Sequence, residues 1–345
     1  MEKRKIKKNK GLKEWGKALL LALILALLIK GFIIESFMVD SPKMEKTILT
    51  GDFIMVNKVA YGARLPISLL SVPFFSSVYS DLVKLPYFRI PGLSRVKLND
   101  IIVFNYPVQY DPPIDKRLPL AKRCVGLPGD TIEIDNKKVF VNNKPFKKTA
   151  EVQFNYRLVT NGILLEQDFL DQYNISEGGM VSEIGIYDFP LTKSKLDEIK
   201  NDESVRYVRE LKDFPGENTN YIFPIGHHHS FNKDYFGPVI VPFKGQVVKL
   251  DTYSIEKYRE IIADHEGNDL EIRNYKIFIN GTEKQSYTIQ NDYYFVLDDN
   301  RDNAKDSRYW GFLPENHIIG KAIVVWFSYN KTDREVRWKR IFKTL

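Results

Sequence analysis

The first 35 residues constrain the fold of this chain more than any other stretch. Residues 18–34, ALLLALILALLIKGFII, are apolar or Gly except for Lys30. A run of this length is the lower limit for a helix that crosses a hydrocarbon layer of about 30 Å. Lys30 lies near the end of the run, where its long side chain can reach the membrane interface. The pattern therefore predicts a transmembrane anchor over residues 18–35.

The residues on either side of the apolar run predict how it lies in the membrane. Residues 1–17 contain eight Lys or Arg residues against Glu2 and Glu14. By the positive-inside rule this basic tail is cytoplasmic, and the main domain, from about residue 36 onward, lies outside the cytoplasmic membrane. A cleavable signal peptide is the alternative, but bulky residues, IKGFIIESFMV, stand where a small-x-small cleavage site belongs. A buried core helix is a third alternative, which the dense Lys flank disfavours.

Composition argues against two classes of function. The net charge of +7 does not indicate a nucleic-acid partner, because residues 1–17 hold +6 of it (8 minus 2) and the remaining chain is nearly neutral. The single cysteine, Cys124, excludes an internal disulfide. It lies in an apolar, strand-like run, so we expect a small buried side chain. A reactive thiol would need a nearby histidine, which the sequence does not indicate.

The histidine-rich stretch GHHHSF offers a possible metal site. His227 and His229 fall on one side of this stretch if it is a strand, and both could ligate a metal ion. No cysteine or acidic cluster lies nearby in the sequence to complete such a site. A polar loop without a metal is therefore the favoured interpretation.

Past the anchor, the chain has the pattern of a mainly β protein. Segments such as NDIIVFNYP and GKAIVVWFSYN are rich in β-branched and aromatic residues and are bounded by turn-forming residues. Residues 133–146 and 273–285 are predicted hairpins, the second with Asn280 and Gly281 at its turn. These patterns predict a β-rich core made of short strands.

Two other segments depart from the strand pattern. One helix is predicted to start at Thr252 or Ser254, where a hydroxyl can cap it, and to stop at Gly267. Residues 61–95 are rich in proline and aromatic residues and follow neither the helical nor the strand period. This stretch is interpreted either as a loop that touches the bilayer or as a long loop packed on the core.

Three segments carry a resemblance to a known family. SPKMEKTILTGDFIMVNK follows the anchor directly, KRCVGLPGDTI spans residues 122–132, and DNRDNAKDSRYWGFLP spans residues 299–314. In order, in spacing and in the preceding anchor, they resemble bacterial type I signal peptidase (leader peptidase). This family of membrane-anchored serine peptidases uses a Ser/Lys dyad to remove signal peptides from exported preproteins. The third segment matches the family nearly residue for residue.

The resemblance implies an architecture and a set of partners. A signal-peptidase-like, β-rich catalytic core would occupy residues 36–139 and 291–345, with a large second domain inserted at residues 140–290. Signal peptides and the lipid bilayer would be its partners, and no cofactor or metal is implied.

The resemblance also assigns roles to residues. Lys122 would be the general base, because a buried lysine can take the proton of a serine hydroxyl. Arg301 and Asp306 would brace the site as an ion pair. Met44 and Asp299 align with supporting positions of the family.

The chain departs from the family at the nucleophile. Aligned on Met44, Lys43 takes the place of the attacking serine, and Ser41 takes the place of the hydroxyl that helps to hold the oxyanion. An amine is no substitute, because its acyl-enzyme would be an amide about as stable as the peptide bond being cut. Ser41 could attack only after a shift, because in an extended chain it lies roughly 6.6 Å from position 43. Contact with a general base needs about 3 Å.

Two further departures lie in or beside the third segment. Asp298 stands where the family commonly has glycine, and Ala304 stands where it commonly has a serine that can hydrogen-bond the lysine base. The carboxylate and the Cβ of Asp298 would interfere with the close approach of the backbone that glycine allows at this position. Three departures at one site indicate relaxed selection for catalysis.

Two hypotheses follow from these features. In the first, the chain is a signal peptidase homologue that is impaired or inactive and binds signal peptides, the secretion channel or an active paralogue. In the second, it is an active signal peptidase that uses Ser41 as a displaced nucleophile. The residues at the site favour the first, and the resemblance as a whole favours the second.

Overall fold

The computed structural model describes residues 10–71, 79–147, 151–182, 185–331 and 333–345. Its α-helices are α1 Lys10–Leu28, α2 Gln167–Tyr173, α3 Lys193–Ile199, α4 Ile255–Glu260 and α5 Ser307–Trp310. The first twelve strands are β1 Ile34–Met38, β2 Asp52–Asn57, β3 Ser68–Ser71, β4 Tyr79–Lys84, β5 Ile101–Asn105, β6 Pro119–Gly126, β7 Thr131–Asp135, β8 Lys138–Val141, β9 Lys144–Pro145, β10 Phe154–Thr160, β11 Gly179–Ser182 and β12 Ile186–Leu191. The others are β13 Val205–Glu210, β14 Phe236–Ile240, β15 Val247–Lys249, β16 Leu270–Arg273, β17 Lys276–Ile279, β18 Thr282–Glu283, β19 Ser286–Thr288, β20 Tyr293–Leu297, β21 Leu313–Pro314, β22 Ile318–Asn330, β23 Glu335–Val336 and β24 Lys343–Thr344. The mainly β fold class is confirmed.

The apolar N-terminal segment forms the predicted helix. Leucine and alanine dominate α1, and both favour the helical backbone. The helix continues through a π-helical turn, Ile29–Ile33, and β1 follows directly. Residues Lys13–Ile33 form a span of 21 residues with mean hydropathy 2.2 whose apolar side chains are not buried by the rest of the chain. By length and composition, this helix is able to cross a membrane.

One nine-stranded antiparallel sheet forms the centre of the protein. Its strand order is β1-β2-β22-β5-β6-β20-β21, with β23 and β24 paired to β22. Every residue of β5 (IIVFN) and of β20 (YYFVL) is buried, which explains why these strands are continuous apolar runs rather than alternating ones. The sheet places the ends of distant segments side by side.

The register between β6 and β20 positions two charged residues. Leu297, the last residue of β20, pairs with Arg123 of β6. Asp298 follows Leu297 and Lys122 precedes Arg123, so in an antiparallel pair these two residues are also neighbours. Antiparallel pairing thus brings together side chains that lie 176 positions apart in the sequence.

Residues 140–290 contribute to two distinct hydrophobic clusters. Strands β10 to β13 form a separate sheet in the order β11-β12-β10-β13, and its apolar side chains pack with those of α2 and α3. The part from Phe236 onward instead shares a cluster with Val125 and Phe295 of the central sheet. The division of the chain at residues 140 and 290 stays a prediction.

The locally encoded elements form as predicted. The hairpin at residues 133–146 is made by β7, β8 and β9, and the hairpin at 273–285 by β16, β17 and β18. Asn280 and Gly281 have φ values of 50° and 74°, as a tight hairpin turn requires. The predicted helix is α4, which begins after Ser254 and continues through a π-helical turn to His265. The predicted hydroxyl cap is wrong, because the Ser254 hydroxyl donates to the carbonyl of Lys249 at 2.7 Å and accepts no N–H of the helix.

Residues 61–95 contain an element that the sequence pattern did not predict. Strands β3 and β4 pair as a hairpin within this stretch, and residues 72–78 lie outside the described residues. Tyr61 is buried, whereas Leu82 and Leu93 are 86% and 85% exposed. The stretch therefore both packs on the core and presents apolar side chains outward. Its contact with a bilayer stays a prediction.

Candidate functional site

The segment that follows β1 is held in place by residue 300. Pro42–Met44 forms one 3-10 turn, and Met44 is buried beneath it. The backbone N–H of Asn300 donates a hydrogen bond to the carbonyl of Lys43 at 2.9 Å. The Asn300 side-chain amide donates to the carbonyl of Pro42 at 3.3 Å. The third sequence segment thus fixes the backbone on which Lys43 and Ser41 stand.

Lys122 is buried in β6 and forms an ion pair. Its side chain is 1% exposed, and its Nζ donates to Oδ2 of Asp298 at 2.5 Å. Oδ1 of Asp298 is also buried and accepts no hydrogen bond from any described residue. Burial raises the pKa of Asp298 to about 6, although the charge of Lys122 opposes this shift. Only one of the two carboxylate oxygens of Asp298 therefore has a hydrogen-bond partner among the described residues.

The ion pair predicted between Arg301 and Asp306 is wrong, because Asp306 pairs with Arg308 instead. Asp306 caps α5, and its Oδ1 accepts the backbone N–H of Arg308 at 3.1 Å and the guanidinium Nε at 2.9 Å. Arg308 Nη2 donates to the other oxygen at 2.8 Å. The first helical turn brings position 308 back over its own cap, which explains the choice of partner.

Arg301 has a different environment. It is buried, and its Nε has no hydrogen-bond partner among the described residues. Burial and the neighbouring guanidinium of Arg308 lower its pKa to about 10. Its backbone carbonyl accepts a hydrogen bond from Arg308 Nη2 at 2.5 Å. Arg301 thus supports the loop through its backbone.

Asp299 links the third segment to β6 and to the nucleophile segment. Its two oxygens accept from Arg123 Nε at 2.8 Å and Nη2 at 2.6 Å, a bidentate arrangement. Thr47 Oγ1 donates to the same carboxylate at 2.6 Å. The sequence analysis singled out Asp299 but missed Arg123. The signal available in the sequence was that Arg123 directly follows Lys122. Adjacent residues of a strand point to opposite faces of a sheet, so Arg123 was placed to pair on the face opposite to Lys122.

Ala304 is buried and places a methyl group where the family commonly has a hydroxyl. Ser307, nearby in sequence, does not replace it, because its hydroxyl accepts the backbone N–H of Val296 at 3.0 Å. Position 304 therefore offers no hydrogen bond to Lys122.

Ser41, Lys43, Met44 and Lys122 all line one cleft. The cleft runs between the end of β1 and the first half of β6. Its apolar lining consists of Phe37, Met38, Val39, Met44, Ile48, Ile54, Val103, Pro119, Leu120 and Ala121. Its charged lining consists of Asp40, Lys43 and Lys122. Within the described part of the chain, Ser41 and Lys122 make no hydrogen bond to each other, since the Lys122 bond is to Asp298.

A loop from the separate β10–β13 sheet touches the nucleophile segment. Residues 174–178 connect α2 to β11, and the carbonyl of Asn174 accepts a hydrogen bond from the ammonium of Lys46 at 2.8 Å. Glu177 accepts the side-chain amide of Asn300 at 2.6 Å. Sequence reasoning missed these contacts because nothing local indicates where an inserted loop will dock.

The histidine-rich stretch does not form a metal centre. His227 and His229 lie in an irregular segment rather than a strand, and His228 contacts Glu256 at 2.7 Å. The described residues include no group of three or more His, Cys, Asp or Glu side chains arranged to hold a metal ion.

Cys124 is buried in β6, as expected. Burial raises the pKa of its thiol far above the usual range. The thiol is therefore not a candidate nucleophile.

Comparisons with known proteins match this chain to signal peptidases. The family model described as "Signal peptidase, peptidase S26" matches residues 12–239 and 240–327. Signal peptidase I of Buchnera aphidicola (subsp. Schizaphis graminum) is 28% identical over 318 residues, which cover 91% of this chain and 76% of that protein. Signal peptidase I of Pseudomonas aeruginosa is 26% identical over 335 residues, which cover 94% and 76%. A signal peptidase I crystal structure from Enterococcus faecalis aligns with 67% of this chain and 98% of its own at 16% identity, and its TM-score of 0.24 carries no argument.

Proposed function

The chain belongs to the signal peptidase family, peptidase S26, and from that premise we propose that it binds signal peptides without cleaving them. One observation carries this proposal. The side chain in the general-base position, Lys122, is buried in an ion pair with Asp298, while Lys43 supplies no hydroxyl in the nucleophile position. Both halves of the family's dyad are therefore altered.

Lys122 is unable to act as a base while it is paired. A general base must present a lone pair to the hydroxyl whose proton it takes. In the ion pair, the ammonium directs a proton at the carboxylate of Asp298 over 2.5 Å. The burial of both side chains strengthens their attraction. Asp298 thus engages the nitrogen whose lone pair catalysis would need.

The nucleophile position is also unsuited to turnover. Attack by the Lys43 amine would produce an amide-linked intermediate that water does not readily hydrolyse. Ser41 carries the remaining hydroxyl in the cleft, but a base must lie within about 3 Å of it. Since Lys122 bonds Asp298, Ser41 has no base, and the displaced-nucleophile alternative is not favoured.

The cleft nevertheless has the shape and backbone edges to hold an extended peptide. β1 is an edge strand of the central sheet. β20 pairs with β6 only from Arg123 to Gly126, so no described strand covers residues 119–122 on the side away from β5. A peptide in the cleft would add as a strand to these two edges, with small or apolar side chains against the lining.

We also propose the location and the other partners of the protein. Signal peptidases are membrane proteins, and the basic residues before Lys13–Ile33 favour an N-terminus in the cytoplasm with the cleft on the outer face. β1 follows the helix directly, which keeps the cleft near the bilayer surface. Partners there would be lipid, the secretion channel or an active paralogue.

A cleavage assay on the full-length, detergent-solubilised chain tests the proposal. The substrate is a preprotein with a small-x-small site, and the variants are Lys43→Ser and Lys43→Ser combined with Asp298→Gly. We expect the native chain not to cleave and Lys43→Ser to cleave only slowly. The double variant should be roughly 100-fold or more faster than Lys43→Ser, because a freed general base contributes on the order of 10²–10⁴-fold. Adding Lys122→Ala to the double variant should abolish the gain.

Two outcomes would contradict the proposal. Cleavage by the native chain that disappears in both Lys122→Ala and Ser41→Ala would establish an active enzyme with a displaced nucleophile. Full activity of Lys43→Ser alone would mean that Asp298 does not restrain Lys122. Adding Ala304→Ser to the double variant then measures how much the missing hydroxyl limits the restored rate.

A further inference from the structure

Lys43 carries a positive charge into the cleft without a direct hydrogen-bond partner among the described residues. It lines the cleft beside Lys122, and its ammonium makes no hydrogen bond or ion pair with any described residue. Lys122 is neutralised by Asp298 at 2.5 Å. Of the two ammonium groups, only that of Lys43 is therefore available to a ligand.

The nearby acidic residues compensate this charge only in part. The carboxylate of Asp298 interacts electrostatically with Lys43, but its hydrogen bond goes to Lys122. Asp306 is bonded to Arg308, and Asp299 is bonded to Arg123. The third charged residue of the cleft lining is Asp40, which is exposed and hydrated at the mouth. Screening by water weakens its effect on a charge inside the cleft.

We propose that the cleft binds peptides that end in a free carboxylate, such as a signal peptide that has already been cut, and that Lys43 holds this carboxylate. The inference rests on the proposed function, since it names the form of peptide that the cleft prefers. It goes further by giving Lys43 a binding role instead of treating it as a lost nucleophile.

The position of Lys43 explains the preference. It takes the place of the group that, in an active relative, meets the carbonyl carbon of the bond to be cut. An uncut peptide presents a neutral carbonyl at this place, whereas a cut peptide presents a carboxylate. Ammonium and carboxylate form a charge-assisted hydrogen bond, which is stronger than a bond to a neutral carbonyl. The hydroxyl of Ser41, which has no partner among the described residues, can donate a second bond.

The lining of the cleft defines the rest of the ligand. Val39, Met44, Ile48 and Ile54 form an apolar surface beside Lys43. Small apolar side chains near the end of the peptide suit this surface, whereas acidic ones would meet Asp40 at the mouth. The ligand class is thus a peptide with small apolar residues next to a free carboxyl end.

The experiment measures binding of three peptides to the full-length, detergent-solubilised protein by fluorescence anisotropy. All three share a segment ending in Ala-x-Ala; one ends in the free acid, one in the amide, and one continues by five further residues. We expect the free acid to bind roughly 10- to 100-fold more tightly than the amide, as charge-assisted hydrogen bonds imply. Raising the salt concentration should reduce this ratio.

Matched variants assign the effect to Lys43. Lys43→Met keeps the length of the side chain without its charge and should reduce the acid-to-amide ratio to about 1–3-fold. Lys43→Arg keeps the charge and should retain the preference. Asp40→Asn removes the other accessible charge and should increase the ratio. Thermal unfolding of each variant checks that it is folded, which is expected because Lys43 has no partner to lose.

Each outcome distinguishes the two proposals. If the three peptides bind equally well, the carboxylate inference fails and the proposed peptide-binding function stands. If none of them binds, both fail. If the preference for the free acid persists in Lys43→Met, the carboxylate is held by another group and the role assigned to Lys43 is overturned.

Discussion

Asp298 and Asp306 are eight residues apart, equally buried, and differ in how well their surroundings accommodate a charge. Each faces one basic side chain, Lys122 for the first and Arg308 for the second. The backbone N–H of Asp298 donates to Asp306 at 3.1 Å, so both carboxylates belong to one cluster. Yet the pKa of Asp298 is raised and that of Asp306 is lowered.

The number of hydrogen bonds explains the difference. Burial opposes the charge of Asp306, but the guanidinium of Arg308 and the backbone donors outweigh it, and both oxygens are bonded. Asp298 has one bonded oxygen and one buried oxygen without a partner, so burial dominates. Backbone and side-chain donors of residues 298 and 308 bond the carboxylate of Asp306. Asp298, in contrast, aligns with a position that the family commonly fills with glycine.

The first prediction compares the removal of each carboxylate. Asp306→Ala leaves a buried guanidinium that is unable to lose its proton, and breaking such a pair costs about 3–5 kcal/mol of unfolding free energy. Asp298→Ala removes a carboxylate that has one bonded oxygen and one buried oxygen without a partner, so we expect a loss of only about 1–2 kcal/mol. Urea unfolding of the solubilised chain, followed by tryptophan fluorescence, measures both. Equal losses would show that the two sites are equivalent.

The second prediction is that the two carboxyls give stability profiles of opposite slope with pH. Since the pKa of Asp298 is raised from 3.8 to about 6, its contribution is most favourable below pH 3.8 and is lost as the pH rises toward 6. The unfolding free energy of the native chain relative to Asp298→Asn should therefore fall by about 2 kcal/mol between pH 4 and pH 6.

Asp306 provides the control for this profile. Because its pKa is lowered, its contribution is present above pH 3.8 and is lost as the pH falls below that value. The native chain relative to Asp306→Asn should thus show no decline between pH 4 and pH 6. A flat profile for Asp298 over the same range would mean that its charge is fully satisfied.

The sequence was sufficient for elements whose signal is local. The apolar run Lys13–Ile33, the hairpin at Asn280 and the helix after Ser254 each depend on residues within a few positions of one another. The resemblance to a family also brought Ser41 and Lys122 to one cleft.

What the sequence did not predict depends on distant pairing. The Lys122–Asp298 bond requires the register of β6 with β20, which no local pattern specifies. The choice of Arg308 over Arg301 depends on a helical turn of four residues, too short to recognise by its period. In both cases the partner was decided by backbone geometry.

The third prediction replaces both members of a pair and has the smallest expected effect. Lys122 Nζ bonds only Asp298 among the described residues, so Lys122→Met with Asp298→Leu leaves no other polar group unsatisfied. Buried pairs replaced by apolar side chains of similar volume are often neutral in stability. We expect the unfolding free energy to stay within about 1 kcal/mol of the native value, with most of the loss from Asp298→Ala recovered.

The matched exchange at the Arg308–Asp306 pair should lower the unfolding free energy much more. Arg308 also donates to the carbonyls of Lys233 and Arg301, and Asp306 caps α5. Arg308→Met with Asp306→Leu would therefore leave two carbonyls and a helix end unsatisfied, and we expect the loss to remain above about 3 kcal/mol. If the Lys122 exchange proved equally damaging, Asp298 would be a structural requirement of this chain. If it is tolerated, the pair contributes little to the stability of the fold.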